Sequence, residues 1–288
     1  MSMTHRYNIP EEERVPAHVS QVSNTKYISV VLNKLDPQQK HQLEDSCIGY
    51  VARLPELKLS AQLIHEMVNR SVVCRKRFEA WFKVNQRFAR FGLPEFALIT
   101  GLKCSPVPKG AEVDKILEKT RLQDKMFANM DRITCSDLEK AFLKCANRND
   151  RYKLGLALII EGVFNSRDRN VGINSTTLSI VDDLDFFNAY PWGIVCFQLL
   201  IKSLLRGWGR KADMVKVNDC DRMTYTLYGF PLAVQIWTYE VISELGARFS
   251  SKTCDDVPRI LRWSGMKQPH SRTYSDFFEK TNVCDLHT

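Results

Sequence analysis

The stretch Arg70–Phe91, which reads RSVVCRKRFEAWFKVNQRFARF, is the most informative about the fold of this chain. It holds seven lysines and arginines against a single acid, Glu79, and five aromatic residues lie among them. Cations favour water and large aromatic rings favour burial, so the stretch must form a surface element with two unlike faces.

Two geometries fit this pattern. A single helix would gather four cations on one stripe, opposite the large apolar residues. These cations are Lys76, Lys83, Arg87 and Arg90. A hairpin would instead place a strand over Trp81–Val84, turn at Asn85 and Gln86, and return to Phe91. The hairpin is favoured by the β-branched and aromatic residues on both sides of a two-residue polar break. Either geometry displays cations on an aromatic support, which is suited to contact with phosphate.

The charge pattern favours an anionic partner. The chain of 288 residues has a formal net charge of +8 and a pI near 9.0. In Arg70–Phe91 nearly all charges have one sign, so mutual pairing cannot explain them, although a solvated amphipathic face is the alternative. We therefore predict that this stretch contacts DNA through eight residues: Arg75, Lys76, Arg77, Lys83, Asn85, Gln86, Arg87 and Arg90.

A second basic patch follows an apolar helix pattern and reads RGWGRK, residues 206–211. Its two glycines free the backbone to follow a ligand, and its cations suit phosphate or a narrow minor groove. The predicted DNA contacts here are Arg206, Trp208, Arg210 and Lys211. The alternative is a helix end with favourable charges and a buried Trp208.

Long helical periodicities outnumber alternating ones along the chain. Predicted helix starts include Asp36, Ser60 and Ser136, and Gly101 and Gly246 are predicted helix ends. We therefore predict a mainly α fold, a single large helical domain with one or two short β-hairpins. Its predicted ranges are a flexible tail over residues 1–24, the DNA-binding domain over 25–265, and a basic and aromatic extension over 266–288.

Catalytic chemistry has weak support in the sequence. Glu161 and Glu240 each interrupt an apolar helix, but such carboxylates are more often satisfied by an arginine or a backbone group. Asp182, Asp183 and Asp185 lack partner acids at a metal-binding spacing, and no nucleotide-binding or nucleophile motif is present. We expect no catalysis, no metal and no cofactor.

The compartment is indicated by the cysteines and by the N-terminal segment. Nine cysteines are scattered without any C-x-x-C spacing, which favours a reducing compartment without disulfides or zinc. The polar start has no apolar core of a secretory signal, and no apolar run is long enough to cross a membrane. We expect a soluble nuclear or cytosolic protein with no membrane partner.

Four blocks and a following motif carry a family resemblance: RFGLPEFALITGL (90–102), LALIIEGVF (156–164), VDDLDFFNAYPWG (181–193), YGFPLAVQIWTYEVISELG (228–246) and PRILRW (258–263). In order and spacing they resemble a plant domain of unknown function that Mutator-like transposons carry, often upstream of an Ulp-type protease. The resemblance spans roughly Asp45 to Trp263. Within that family the chain is most similar to the VANC proteins of VANDAL transposons.

The resemblance implies a function. VANC proteins are nuclear DNA-binding anti-silencing factors that recognise short motifs in their own element and cause loss of DNA methylation there. It also favours the hairpin, because family members align Trp81–Phe91 with a strand, a turn and a strand. We therefore predict a non-catalytic, sequence-specific binder of double-stranded transposon DNA, with chromatin or the DNA-methylation machinery as a further partner. The alternative is a protein-interaction module of a transposon-derived protease or chromatin complex.

Overall fold

The structure is a computed structural model, and it describes residues 6–84, 87–168, 170–208, 214–215, 222–265 and 267–278. Numbered along the described chain, its helices are α1 Lys26–Lys34, α2 Pro37–Glu44, α3 Ala61–Asn69, α4 Leu93–Thr100, α5 Ala111–Leu117, α6 Arg121–Phe127, α7 Cys135–Lys144, α8 Arg148–Ile159, α9 Ser175–Asp182, α10 Leu184–Ala189, α11 Trp192–Leu204, α12 Leu232–Val241, α13 Ser243–Phe249 and α14 Ser271–Phe278. Its strands are β1 Ala17–Gln21, β2 Ser71–Val72, β3 Ala80–Val84, β4 Arg87–Phe91, β5 Met223–Leu227, β6 Ser251–Lys252 and β7 Trp263–Ser264. A π-helical turn, Ile160–Phe164, continues α8.

The predicted fold class, a mainly α domain, is wrong. The fold is a helix-rich mixture of α and β, with 55% helix and 11% strand. The strands form three small sheets: β1 with β5, β2 with β3 and β4, and β6 with β7. Helical periodicity dominates the sequence, and it does not reveal short strands that pair with distant partners.

The sheet of β1 and β5 corrects the predicted flexible tail. The two strands run parallel, with Ala17 opposite Met223 and Gln21 opposite Leu227. The side chains of Ala17 and Val19 are buried, so β1 contributes to the core. The prediction of an unstructured segment over residues 1–24 is therefore wrong for this strand, whose partner lies about two hundred residues further along the chain.

Both ends of the described chain reach the core. The buried hydrophobic cluster runs from Ile9 to Phe278. In α14 the Tyr274 side chain is buried and its hydroxyl lies 2.9 Å from the Ser60 hydroxyl oxygen at the start of α3. The ranges predicted as tail and extension thus both supply core side chains.

The hairpin predicted over Trp81–Phe91 is confirmed, and the single helix is wrong. Strands β3 and β4 are antiparallel, with Phe82 opposite Ala89. The inward rings of Phe82 and Phe91 lie against Trp237 of α12, with ring centroids 5.4 and 5.3 Å apart. The hairpin is therefore anchored on the central helix by aromatic contacts, and its other face is turned away from the core.

The predicted helix ends at Asp36 and Gly101 are confirmed by their local chemistry, whereas Gly246, also predicted as an end, lies inside α13. Asp36 caps α2, because its carboxylate accepts the amide hydrogen of Gln39 at 3.0 Å. Gly101 ends α4 with a left-handed φ of 67°, a conformation that favours glycine. The predicted start at Ser136 is wrong, since Thr134 forms the capping box of α7 with Asp137.

A network of ions joins α6, α8 and α9. Arg121 donates hydrogen bonds to Asp182 and to Asp150, and Lys153 donates to Asp182 at 2.8 Å. These contacts supply charged hydrogen-bond donors to the Asp182 carboxylate. The hydrogen bond from Arg121 is the main reason why the pKa of Asp182 falls to about 2.

We expect Asp182→Asn to lower the free energy of unfolding at pH 7 by about 1–3 kcal/mol, because Arg121 and Lys153 lose a charged acceptor. The pKa of Asp182 is lower in the folded than in the unfolded chain, so its contribution is complete above about pH 4 and is lost as the pH falls towards 2. Urea denaturation of both proteins between pH 7 and 3 measures the difference. A difference that does not narrow over this range would contradict the assignment.

Candidate nucleic-acid interface

The outward face of the hairpin alternates cations and aromatic rings. Successive side chains of a strand point to opposite faces, and Phe82 and Phe91 point inward, so Trp81, Lys83, Phe88 and Arg90 point outward. Across the two strands Trp81 lies opposite Arg90, and Lys83 lies opposite Phe88. Each cation therefore has an aromatic neighbour directly across the ladder.

Two cations of the stretch are held by acids that lie outside it. Arg70 pairs with Glu66 of α3 at 2.5 Å. Arg90, a predicted DNA contact, pairs with Glu95 of α4 at 2.7 Å, and Glu95 also accepts the Gly92 amide hydrogen at 2.8 Å. The hydrogen bond with Glu95 raises the pKa of Arg90. Arg90 therefore stabilises the junction between β4 and α4.

The one acid of the stretch is also held in place. Burial disfavours the charged form of Glu79, but hydrogen bonds from Trp81 at 2.9 Å and from Lys76 at 3.1 Å outweigh it and lower the pKa of Glu79. Its carboxylate thus stays ionised and neutralises part of the charge of Lys76.

The remaining cations of the stretch are accessible to a partner. Arg75, Arg77 and Arg87 are exposed, and the Arg77 guanidinium lies 5.3 Å from the centroid of the Phe78 ring. Among the described residues, neither Arg75 nor Arg77 has a carboxylate within salt-bridge distance. The Lys83 ammonium lies 5.8 Å from the centroid of the Tyr7 ring. Arg75, Arg77 and Arg87 thus have the predicted exposure, whereas Lys83 is half-buried.

A cleft brings the two predicted basic patches together. It has a volume of ≈ 350 Å³ and lies between the loop after β2 and the end of α11. Four cations line it, Lys76, Arg77, Lys202 and Arg206, together with Asn8, Val72, Val73, Cys74, Leu205 and Trp208. None of these lining residues, which all belong to the described part of the chain, is an acid. The cleft is therefore a concentrated positive site.

Arg206 forms a fixed wall of this cleft. Its side chain donates to the carbonyl oxygens of Ser203 at 2.8 Å and of Thr226 at 2.6 Å. Burial lowers the pKa of Arg206, but a guanidinium remains charged in a protein. The structure thus places a permanent positive charge at the end of α11, as the sequence predicted.

Trp208 takes the alternative arrangement, that of a helix end with a buried ring. The side chain is only 2% exposed, its Nε1 donates to the Leu204 carbonyl oxygen at 2.7 Å, and its ring centroid lies 4.8 Å from that of Tyr225. Trp208 supports the cleft from behind, and no face of its ring is open for a base to stack on. Four further predicted contacts lie outside the described residues: Asn85, Gln86, Arg210 and Lys211.

Two polar residues of the cleft, Asn8 and Lys202, were not predicted from the sequence. Lys202 is exposed and stands four residues before Arg206, so helical spacing could have identified it. Asn8 had no such signal, because it is positioned by hydrogen bonds to Ser71 at 3.0 Å and to the Val72 carbonyl oxygen at 3.2 Å, across more than sixty residues.

Both glutamates accept hydrogen bonds from neighbouring groups, as predicted; Glu161 is buried and Glu240 is half-buried. Glu161 accepts hydrogen bonds from the Thr177 hydroxyl at 2.6 Å and from the Asn174 amide at 2.9 Å. Glu240 accepts from Trp263 Nε1 at 2.7 Å and from Arg259 at 3.3 Å. Neither geometry pairs one glutamate with the other.

The described residues contain no group of three or more His, Cys, Asp and Glu side chains placed to hold a metal ion. Burial raises the pKa of Cys47 to about 12 and that of Cys104 to about 11, so these thiols are neutral. Within the described ranges, no helix combines the length and apolar character needed to cross a bilayer.

Residues 68–203 match the family model described as a domain of unknown function, DUF1985. This is a plant domain often found upstream of Ulp-type proteases. The predicted resemblance is confirmed at this level for the first three sequence blocks, and residues 228–246 and 258–263 lie outside the match. The match includes the hairpin, the loop before it and nearly all of α11. No curated protein and no solved structure matches the chain.

Proposed function

We propose that this chain binds double-stranded DNA without catalysis, through the basic cleft and the outward face of the hairpin. The convergence of Lys76, Arg77, Lys202 and Arg206 on one cleft carries the proposal. The four cations repel one another, and a bound phosphate anion attracts each of them and so offsets that repulsion. Release of counterions from the duplex adds a sequence-independent contribution to affinity.

The basic surface continues from the cleft towards the hairpin. Asn8 lines the cleft, and its neighbour Tyr7 forms a bridge with Val72 of β2. The Lys83 ammonium then lies over the Tyr7 ring, on the outward face of β3. A phosphate backbone seated in the cleft can therefore follow cations onto the hairpin.

The hairpin supplies the candidates for base recognition. A two-stranded ribbon fits the major groove of B-form DNA, where each base pair shows a distinct pattern of donors and acceptors. Strand β2 pairs with β3 at Trp81 and Phe82, so the turn end of the hairpin is the two-stranded part. Lys83 points outward from β3. Arg87 lies opposite Val84, on the other side of the ladder, and is exposed at the turn end of β4. We assign phosphate contacts to the cleft and base contacts to these two residues.

The finer part of the proposal rests on the resemblance to VANC proteins. The bound DNA would be short motifs of the transposon that encodes the chain, and the site of action would be the nucleus. The outcome would be loss of DNA methylation at that element, with chromatin or the methylation machinery as a further partner. The match to a domain of unknown function supports the broad family and leaves this step as a proposal.

One observation favours the second candidate, a protein-interaction module. Val73 is 54% exposed and Phe78 is 41% exposed, and both lie beside the exposed cations. Apolar residues next to cations also suit an acidic protein surface. Binding to a random duplex with a steep dependence on salt distinguishes DNA from such a partner.

Selection from a pool of random duplexes, followed by mobility-shift titration, tests the assignment of the hairpin. We expect Lys83→Ala and Arg87→Ala each to cost about 1–3 kcal/mol on the selected sequence and much less on a random duplex, since base contacts are lost. Lys40→Ala is the control, because Lys40 is an exposed cation on α2, away from the hairpin. Equal losses on both duplexes would reassign these residues to phosphate contacts.

A further inference from the structure

A second, larger cleft shares no lining residue with the basic one. It has a volume of ≈ 570 Å³ and is formed by the end of β1, the start of α7 and the π-helical turn Ile160–Phe164. Its walls include Gln21, Tyr27, Glu161 and Arg167, and Ser136 is exposed at its rim. This size suits a small molecule that is largely enclosed.

A buried carboxyl group forms part of this cleft. Glu161 is 2% exposed, and each of its oxygens accepts one hydrogen bond, from Thr177 and from Asn174. A carboxylate oxygen accepts two hydrogen bonds, so each retains acceptor capacity. Burial raises the pKa of Glu161, although these two hydrogen bonds act in the opposite direction.

The backbone here has an unusual geometry. A π-helical turn inserts an extra residue into a helix, and such turns occur frequently at functional sites. At Gly162 an added Cβ would lie 2.4 Å from Cδ2 of Tyr27, so glycine allows the Tyr27 ring to lie directly over this turn. The ring supplies an aromatic wall next to Glu161.

Two further polar atoms of the cleft lack partners. Gln21 Oε1 and Arg167 Nε are buried, and among the described residues neither has a hydrogen-bond partner. An unsatisfied buried donor or acceptor costs about 1–3 kcal/mol, and a ligand with complementary groups removes that cost. The cleft walls therefore contain acceptors at Glu161 and Gln21 and a donor at Arg167, and a side-chain rotation must bring Gln21 Oε1 and Arg167 Nε, which have no exposed surface, to a ligand.

The charges of the cleft limit the class of ligand. Glu161 and Asp168 are acids, and Asp168 also accepts a hydrogen bond from the Tyr228 hydroxyl at 2.9 Å. With one arginine against two acids, a phosphate or carboxylate ligand is disfavoured. Burial raises the pKa of Cys135 to about 12, so its thiol is neutral and unsuited to attack a bound molecule.

We propose that this cleft binds a small molecule that contains an amino-substituted nitrogen heterocycle, the class that includes the amino-bearing nucleobases, with Glu161 as the pairing residue. A carboxyl group has two oxygens side by side, which match an amino group next to a ring nitrogen. The ionised form accepts two N–H groups, and the protonated form accepts one N–H and donates to a ring nitrogen. Tyr27 provides the face on which the ring stacks. This site does not depend on the DNA-binding proposal.

Titration calorimetry with free nucleosides tests the proposal on the full chain. The probes are guanosine, adenosine and cytidine, and the matched controls without the amino group are inosine and uridine. We expect at least one amino nucleoside to bind about tenfold or more tightly than its amino-free counterpart, and Glu161→Gln to weaken that binding by about 10- to 100-fold. Lys202→Ala, in the basic cleft, is expected to leave it unchanged.

Ser136→Trp provides a second variant that does not alter a buried group. Its bulky side chain would obstruct the rim of the cleft, so it is expected to abolish nucleoside binding with no loss of melting temperature. Ser136→Trp therefore tests nucleoside binding in the cleft even if Glu161→Gln prevents folding. The proposal is overturned if no amino nucleoside binds, if inosine and uridine bind equally well, or if binding survives in Ser136→Trp.

Discussion

Arg77→Glu combined with Lys202→Glu will weaken binding to a random duplex by on the order of 10²-fold or more. Each reversal replaces attraction to a phosphate with repulsion, and one charge pair near a protein surface contributes about 1–4 kcal/mol. Both side chains line the basic cleft and are exposed. The fold should persist, since neither side chain has a carboxylate partner among the described residues. Fluorescence anisotropy with a labelled duplex measures the loss.

The control for net charge is Lys40→Glu combined with Lys144→Glu. It changes the formal charge by the same amount, and both lysines are exposed on helices that do not line the cleft. We expect this variant to bind the duplex within about threefold of the wild type, because salt screens the interaction between the duplex and surface charges outside the cleft. Equal losses in the two double variants would show that total charge, and not the cleft, determines affinity.

Trp237→Ala will destabilise the protein by about 3–5 kcal/mol, which is a large part of the stability of most domains. Trp237 is fully buried in α12, and its ring contacts Phe82 and Phe91 of the hairpin. Removing it leaves a cavity under the hairpin. Urea denaturation measures the change, and Leu98→Ala is the surface control because Leu98 is 52% exposed.

The same variant separates a role in the core from a role at the interface. We expect DNA binding by Trp237→Ala to decline only in proportion to the fraction unfolded, because the ring does not reach the surface. A variant with an unchanged melting temperature and lost binding would place Trp237 in the interface and contradict the fold.

The sequence predicted local structure well where the partners are close along the chain. The hairpin follows from two short runs of aromatic and β-branched residues around a polar break, and the caps at Asp36 and Gly101 follow from the residue types that helix ends need. These features depend on contacts within a few residues, so a short window of sequence contains them.

Contacts between distant segments could not be predicted in this way. Strand β1 is short and partly polar, and it becomes a strand by pairing with β5, which lies far along the chain at Met223–Leu227. The high ratio of cations to acids in Arg70–Phe91 was also misleading, because Glu66 and Glu95, just outside that range, neutralise Arg70 and Arg90. Charge patterning over one segment omits partners that the fold supplies.

The candidate site also combines features that the local sequence predicts with features that depend on contacts between distant segments. The exposure of Arg75, Arg77 and Arg87 agrees with the sequence, whereas the burial of Trp208 behind the cleft depends on Tyr225. The convergence of the loop after β2 with the end of α11 is a property of the tertiary fold. It joins two patches that the sequence offered as independent candidates.

The salt dependence of duplex affinity tests the central claim most directly. For the wild-type chain, log Kd against log salt concentration from about 50 to 200 mM should be linear, and the four cations of the cleft alone predict that affinity falls with a slope of magnitude about 3 to 4. Arg77→Ala with Lys202→Ala should reduce that magnitude by about 2. A duplex that does not bind at the lowest salt, or an affinity that does not change with salt, would contradict the account.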